Sequence, residues 1–170
     1  MPEPRANPQP RANEAKKKKF SETKAKAEAG DAKAQFNLGS MYDKGSPGIT
    51  PKDFEEALKW YRKAAEGGHA KAQYFLGLTY NGWWRLGFPE DFVEAVKWYR
   101  MAAEQGQVWS QFNLAGMYDD GEGVEEDDAV AYAWFKIASA NWTKGPRMPK
   151  LTKIMNPDQI AKAEALAKEM

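Results

Sequence analysis

The chain has no cysteine and only one histidine among its 170 residues. The first absence excludes disulfides, thiolate zinc sites and a cysteine nucleophile, while leaving reducing and oxidising compartments equally open. Net charge is lacking too: 25 Lys plus Arg against 24 Asp plus Glu leave +1, too little for a bulk field that draws in nucleic acid or an anionic membrane. No apolar run approaches the roughly 20 residues that span a bilayer. The lysine run Lys16, Lys17, Lys18 and Lys19 is followed by the polar stretch FSETKAKAEAG, so no export signal is visible and a cytoplasmic location is the expectation. Strand periodicity and a glycine-rich phosphate loop are both missing, which leaves nucleotide binding without support. What is present, 42% hydrophobic and 29% charged residues, suffices for one globular unit with a sizeable core.

Charge and proline are segregated along the chain. Residues 1–12, MPEPRANPQPRA, hold four of the ten prolines and no large apolar residue, and read as a disordered arm. Over residues 1–19, six basic side chains face only Glu3 and Glu14, so the rest of the chain is slightly acidic. Residues 13–29 read as a basic helix, a degenerate half-repeat whose KAEAG ending matches KAAEGG further on.

The body is an array of repeats. GDAKAQFNLGSMY starts at Gly30, GHAKAQYFLGLTY at Gly68 and GQVWSQFNLAGMY at Gly106, each one 38-residue period after the last. Ungapped superposition of residues 30–67 on 68–105 gives identity at 20 of 38 positions. The third copy, residues 106–142, has a shorter loop, and residues 143–170 read as C-terminal capping helices. Each copy reads as two amphipathic helices. The first carries Ala34, Leu38, Met41 and Tyr42 at helical spacing, and the second Phe54, Ala57, Leu58, Tyr61, Ala64 and Ala65. Asp31, His69 and Gln107 precede the first helix, and Asp53, Asp91 and Asp127 the second, where Asp caps free amides. Gly39, Gly77 and Ala115, set against Ala57, Ala95 and Ala131, suit a close crossing of two backbones. Asn156, Pro157 and Gln159 form a cap, a proline at the first helical position and a capping-box partner for a last helix, after a short one within residues 148–155.

At GDAKAQFNLGSMY followed by DFEEALKWYRKAAEGG, the sequence resembles the Sel-one-like repeat (SLR) family, a relative of the tetratricopeptide repeat with many bacterial members. The resemblance runs from Gly30 to about Trp142. It implies an all-α, right-handed α-solenoid of three antiparallel helix pairs with flanking capping helices, used as an adaptor in protein complexes. Trp83 departs from the pattern, standing where the other copies have Gly45 and Gly121.

Residues with chemical potential each have a structural account. His69 aligns with Asp31 and Gln107, so a helix-start turn residue outweighs a catalyst or metal ligand. DDGEGVEEDD, residues 119–128, lacks the alternating ligands and closing Glu of a calcium loop and reads as a solvated loop. Trp60, Trp98 and Trp134 occupy one repeat position and read as core. The anomalous aromatics are Trp83, Trp84 and Phe88 in a loop, and Trp109, which replaces Lys33 and Lys71 of the sibling copies. Large rigid side chains that break the pattern suit a partner hot spot, while tucking back against their own helices is the structural alternative for Trp83 and Trp84.

By resemblance to the tetratricopeptide arrangement, the groove-facing positions are Lys33, Phe36, Ser40, Lys71, Tyr74, Leu78, Trp109, Phe112 and Gly116, with some of them needed for packing. Asn37 and Asn113, equivalent to each other, are placed to hydrogen-bond an extended peptide or simply water. The expected role is therefore a non-enzymatic scaffold that binds an unidentified protein or peptide, with no catalytic residues, no cofactor and no metal. Two alternatives rank below it. One is anionic-surface or nucleic-acid binding through the basic arm. The other is a hydrolase of cell-wall or β-lactam chemistry, associated with some cysteine-rich SLR proteins whose cysteines this chain lacks.

Overall fold

A computed structural model of the chain describes residues 9–82, 89–140 and 155–170, as two compact units that divide between His69 and Ala70. The described residues form eight α-helices and no strands. The short helix expected within residues 148–155 falls, except for Met155, outside the described residues, as do Trp83, Trp84 and Phe88.

The first unit holds α1 (Gln9–Glu28), α2 (Ala32–Lys44) and α3 (Phe54–Glu66). Helix α1 reaches back to Gln9, into the stretch expected as part of the arm, with Pro10 in the first turn where its missing N–H breaks no helical bond. Its one buried side is narrow: Phe20 and Ala27 pack on Ala34, Leu38, Tyr42 and Trp60. Phe20 meets Tyr42 edge-on at 5.9 Å. Helix α3 buries Ala57, Trp60, Tyr61, Ala64 and Ala65, a stripe at the 3.6-residue period.

The second unit holds α4 (Ala70–Tyr80), α5 (Phe92–Glu104), α6 (Val108–Asp120), α7 (Asp128–Ala140) and α8 (Pro157–Glu169). Consecutive helices pack in series from α4 to α8. The main core joins Ala95, Val96, Tyr99, Leu114, Met117, Trp134 and Phe135. A smaller cluster joins Tyr132, Met155 and Ala163 and seats α8 on α7.

The boundaries follow from local chemistry. Asp31, Asp53 and Asp91 accept the N–H of Ala34, Glu56 and Glu94. Asp127 accepts from Ala129 and Val130, and Gln107 accepts from Ser110 at 2.6 Å. Asn156 and Gln159 form a reciprocal capping box. Gly30 and Gly106 sit at φ 94° and 81°, closing the preceding helices with paired bonds, Gly30 N–H to Ala27 and Asp31 N–H to Lys26 in the first case. A side chain is disfavoured at such φ, which accounts for glycine returning at each repeat start.

Two packing details differ from the sequence expectation. A Cβ at Gly39 would stand 2.9 Å from the Tyr61 ring as well as 3.1 Å from the Ala57 carbonyl, and one at Gly77 would meet the Tyr99 ring at 2.4 Å. These glycines therefore seat an aromatic ring of the second helix as much as they bring two backbones together. Trp60 and Trp134 are buried, but Trp98 is only half-buried. Trp60 Nε1 donates to Glu56 Oε1 while Glu56 Oε2 pairs with Lys59; the equivalent Glu94 likewise pairs with Lys97, but Trp98 Nε1 has no acceptor among the described residues.

Candidate functional site

Aromatic residues of the first helices divide into packed and exposed ones. Phe36 lies 5.4 Å from Tyr61 and stacks on His69 at 4.6 Å. Tyr74 lies 6.3 Å from Tyr99, and Phe112 meets Phe135 at 5.1 Å. These three equivalent positions are half-buried against the second helix of their own repeat. Leu78, with Tyr74 and Phe112, packs on the main core of the second unit. Lys33 and Lys71 are exposed, and Trp109, which replaces them in the third copy, is 48% exposed on α6. His69 stands at the start of α4, its backbone N–H bonded to Ala64 and its ring stacked on Phe36.

In the first unit α1, α2 and the loop 45–50 enclose a cleft of about 370 Å³. Asn37 and Ser40 line it, as do Lys16, Lys19 and Lys44, and Phe20, Met41 and Ile49 supply apolar surface. The loop is held by a bridge in which Ser46 N–H donates to Thr50 and Thr50 N–H to Ser46. Lys33 and Phe36 do not reach this cleft.

In the second unit Phe112, Asn113 and Gly116 line a hollow of about 250 Å³ with Asn81, Met117, Asp119, Asp120 and Glu122. Lys71, Tyr74 and Trp109 lie outside it. Burial first, and then the charges of Asp120, Asp128 and Glu126, raise the Asp119 carboxyl above its ordinary value. Burial pushes the Tyr99 phenol up strongly, and the amides of Asn81 and Asn113 that face it offset only part of this. Neither amide makes a well-aligned hydrogen bond to that hydroxyl. The Tyr61 phenol is pushed up to about 12 by burial and by Asp43, against a hydrogen bond from Ser40. The described residues contain no cluster of three or more His, Asp or Glu arranged to hold a metal ion. No described helix is long and apolar enough to cross a membrane.

Each first helix carries a glutamine at the same repeat position. Gln35 and Gln111 are buried and donate Nε2 to the carbonyls of Ala27 and Ala103, tying each first helix to the end of the helix before it. Gln73 accepts from Gln105 Nε2 at 2.7 Å. The signal was legible as a glutamine returning every 38 residues.

The Sel1 repeat matches residues 32–69, 70–107 and 110–141. Among solved structures, the chain is similar to a Sel1 repeat protein from Oxalobacter formigenes, with 32% identity and a TM-score of 0.68 over 80% of this chain and 96% of that one. It is also similar to a protective antigen present in uropathogenic Escherichia coli strains that displays an SLR fold, with 43% identity and a TM-score of 0.64 over 72% of this chain. The match spans a quarter of the length of the E. coli protein. No curated protein matches the chain. Sel1 repeat proteins bind protein partners and form a helical-repeat scaffold family that is not typically enzymatic. The three matched repeats cover well over half of the chain, and their consecutive helix packing is that of the Sel1 solenoid class, so this all-α chain belongs to the Sel1 repeat family.

Proposed function

We propose that the chain is a non-enzymatic scaffold that docks a protein or peptide through first-helix positions, with Trp109 as the anchor in the second unit. The observation that carries this reading is the half-exposed Trp109 indole on α6, at the repeat position where the first two copies carry lysine. Burial of the exposed half of the ring against a partner removes apolar surface from water, and tryptophan is enriched among residues that dominate interface energies. Phe36 in the first unit, and Tyr74 and Phe112 in the second, are further docking positions of this reading, each held by a ring contact within its own unit with Tyr61, Tyr99 and Phe135. On this reading Lys33 and Asn37 in the first unit and Lys71 and Asn113 in the second supply charge and amides, and Trp83, Trp84 and Phe88, outside the described residues, are further candidate contacts.

The test compares the full chain with Trp109→Ala in affinity capture from a bacterial lysate, read by mass spectrometry. The expected outcome is a protein retained by the parent and lost with the variant, at unchanged helicity. The truncation should cost about 2 kcal/mol of binding, roughly 30-fold in affinity. Identical partners at identical yield would refute the Trp109 surface.

A further inference from the structure

We propose that the cleft between α1, α2 and the loop 45–50 binds an acidic peptide segment in which carboxylates flank one apolar side chain. This deepens the scaffold reading, on which it rests, by assigning a second docking site and the chemistry of its occupant.

The cleft is one-signed. Lys16, Lys19 and Lys44 line it and no carboxylate does. Other lysines of α1 are compensated: Lys17 pairs with Glu14, Lys18 with Glu22, and Lys24 with Glu28. None of the three cleft lysines has such a partner among the described residues. Three uncompensated ammonium groups around a concavity favour an anion, and the attraction exceeds that on a flat surface because the walls exclude water. Phe20, Met41 and Ile49 line the same space, so the occupant must also bring apolar surface. A volume of about 370 Å³ lies at the small end of ligand pockets, which suits a few side chains better than a large cofactor. Asn37 stands exposed on the lining, and Ser40 and Ser46 add hydroxyls, so donors and acceptors for a peptide backbone are present.

The sign belongs to this unit's sequence and not to the repeat as such. Two periods on, Asn37, Ser40, Met41 and Lys44 become Asn113, Gly116, Met117 and Asp120, which line the hollow of the second unit with Asp119 and Glu122 and no lysine. Equivalent helical positions thus present a cationic concavity in one unit and an anionic one in the other. A nucleic-acid strand fits the cationic cleft poorly. Three lysines neutralise at most about three phosphates, and a backbone of phosphates has no apolar group to set against Phe20.

Fluorescence anisotropy on the full chain tests this, with fluorescein-labelled Asp-Glu-Leu-Glu-Asp as the probe, Asn-Gln-Leu-Gln-Asn as the uncharged control and a short oligothymidylate as the competing polyanion. The acidic peptide should bind, weaken with salt, and exceed the control by about tenfold or more. Replacing all three lysines (Lys16→Gln, Lys19→Gln, Lys44→Gln) should weaken it by a similar factor without loss of helicity, since the side chains are exposed. Asn37→Trp, which fills the cleft and keeps every lysine, should abolish binding. Full affinity in either variant, or no preference over the control peptide, overturns the proposal. Tighter binding of oligothymidylate, lost in the same variants, overturns it in favour of a polyanion site. A chain that captures a protein through Trp109 but ignores the peptide rejects the cleft alone, whereas peptide binding without any Trp109-dependent partner rejects only the other surface.

Discussion

Gly77 and Gly116 both lie inside helices of the second unit, so alanine at either one removes the same conformational cost, yet the two substitutions should shift stability in opposite directions. Alanine is favoured over glycine in a helix interior by about 1 kcal/mol. At Gly116 the added methyl meets nothing within 4 Å, so that gain is expected nearly in full. At Gly77 the methyl would lie 2.4 Å from Cδ1 and Cε1 of Tyr99 and 3.0 Å from Cγ. Carbon atoms settle at about 3.5–4.0 Å, so the ring must retreat by roughly 1 Å. Tyr99 is 0% exposed and packs among Ala95, Val96 and Leu114, so no free space receives it. Overpacking of this kind costs about 1–3 kcal/mol, and a displacement this large belongs near the top of that range. After the helix gain is subtracted, Gly77→Ala should lose about 1–2 kcal/mol and Gly116→Ala should gain up to about 1 kcal/mol. Urea denaturation followed by far-UV circular dichroism measures both. The melting temperatures should separate by roughly 5–10 °C. Gly39→Ala should fall between them, because its ring contact is looser, at 2.9 Å. A Gly77→Ala variant as stable as the parent, or two variants that move the same way, would refute the ring-seating account.

Two further outcomes are expected. Because Tyr61 is raised to about 12 in the folded chain, the unfolded chain loses its phenolic proton first, near pH 10, and stability must fall between pH 10 and 12. That loss amounts to as much as about 2.7 kcal/mol, and Tyr61→Phe should remove it from the pH dependence of urea denaturation; identical curves for parent and variant would contradict it. Deleting residues 156–170 strips Ile160 and Ala163 from Tyr132 and breaks the Lys136–Glu164 pair, so melting should drop by about 5–10 °C with aggregation, and an unchanged melt would argue against α8 as a cap.

Legibility in the sequence followed the range of the interactions. Asp31, Asp53, Asp91 and Asp127 cap helices by bonding amides two or three residues on, so their role was readable from spacing alone. The stripe of Ala57, Trp60, Tyr61, Ala64 and Ala65 was equally plain, since the helical period alone dictates which residues share a face. Candidate docking residues were a different matter. Phe36, Tyr74 and Phe112 look the same in sequence as an open groove, but each ring is half taken up by its neighbour. Trp98 carries the same signature as Trp60 and Trp134, yet its burial depends on what covers that face of α5.

The sequence by itself determined the helix pairs, their caps, the 38-residue period and the family, because all of these rest on local bonds and on a pattern repeated three times. Tertiary structure alone decided which surfaces remain open and what charge they carry. The lysines of α1 read as a uniform basic run, and only the approach of α2 and the loop 45–50 separates Lys16 and Lys19, which face a cleft, from Lys17 and Lys18, which pair with glutamates of their own helix. A side chain's surroundings are set by residues distant in the chain, and no periodicity within its own helix encodes them.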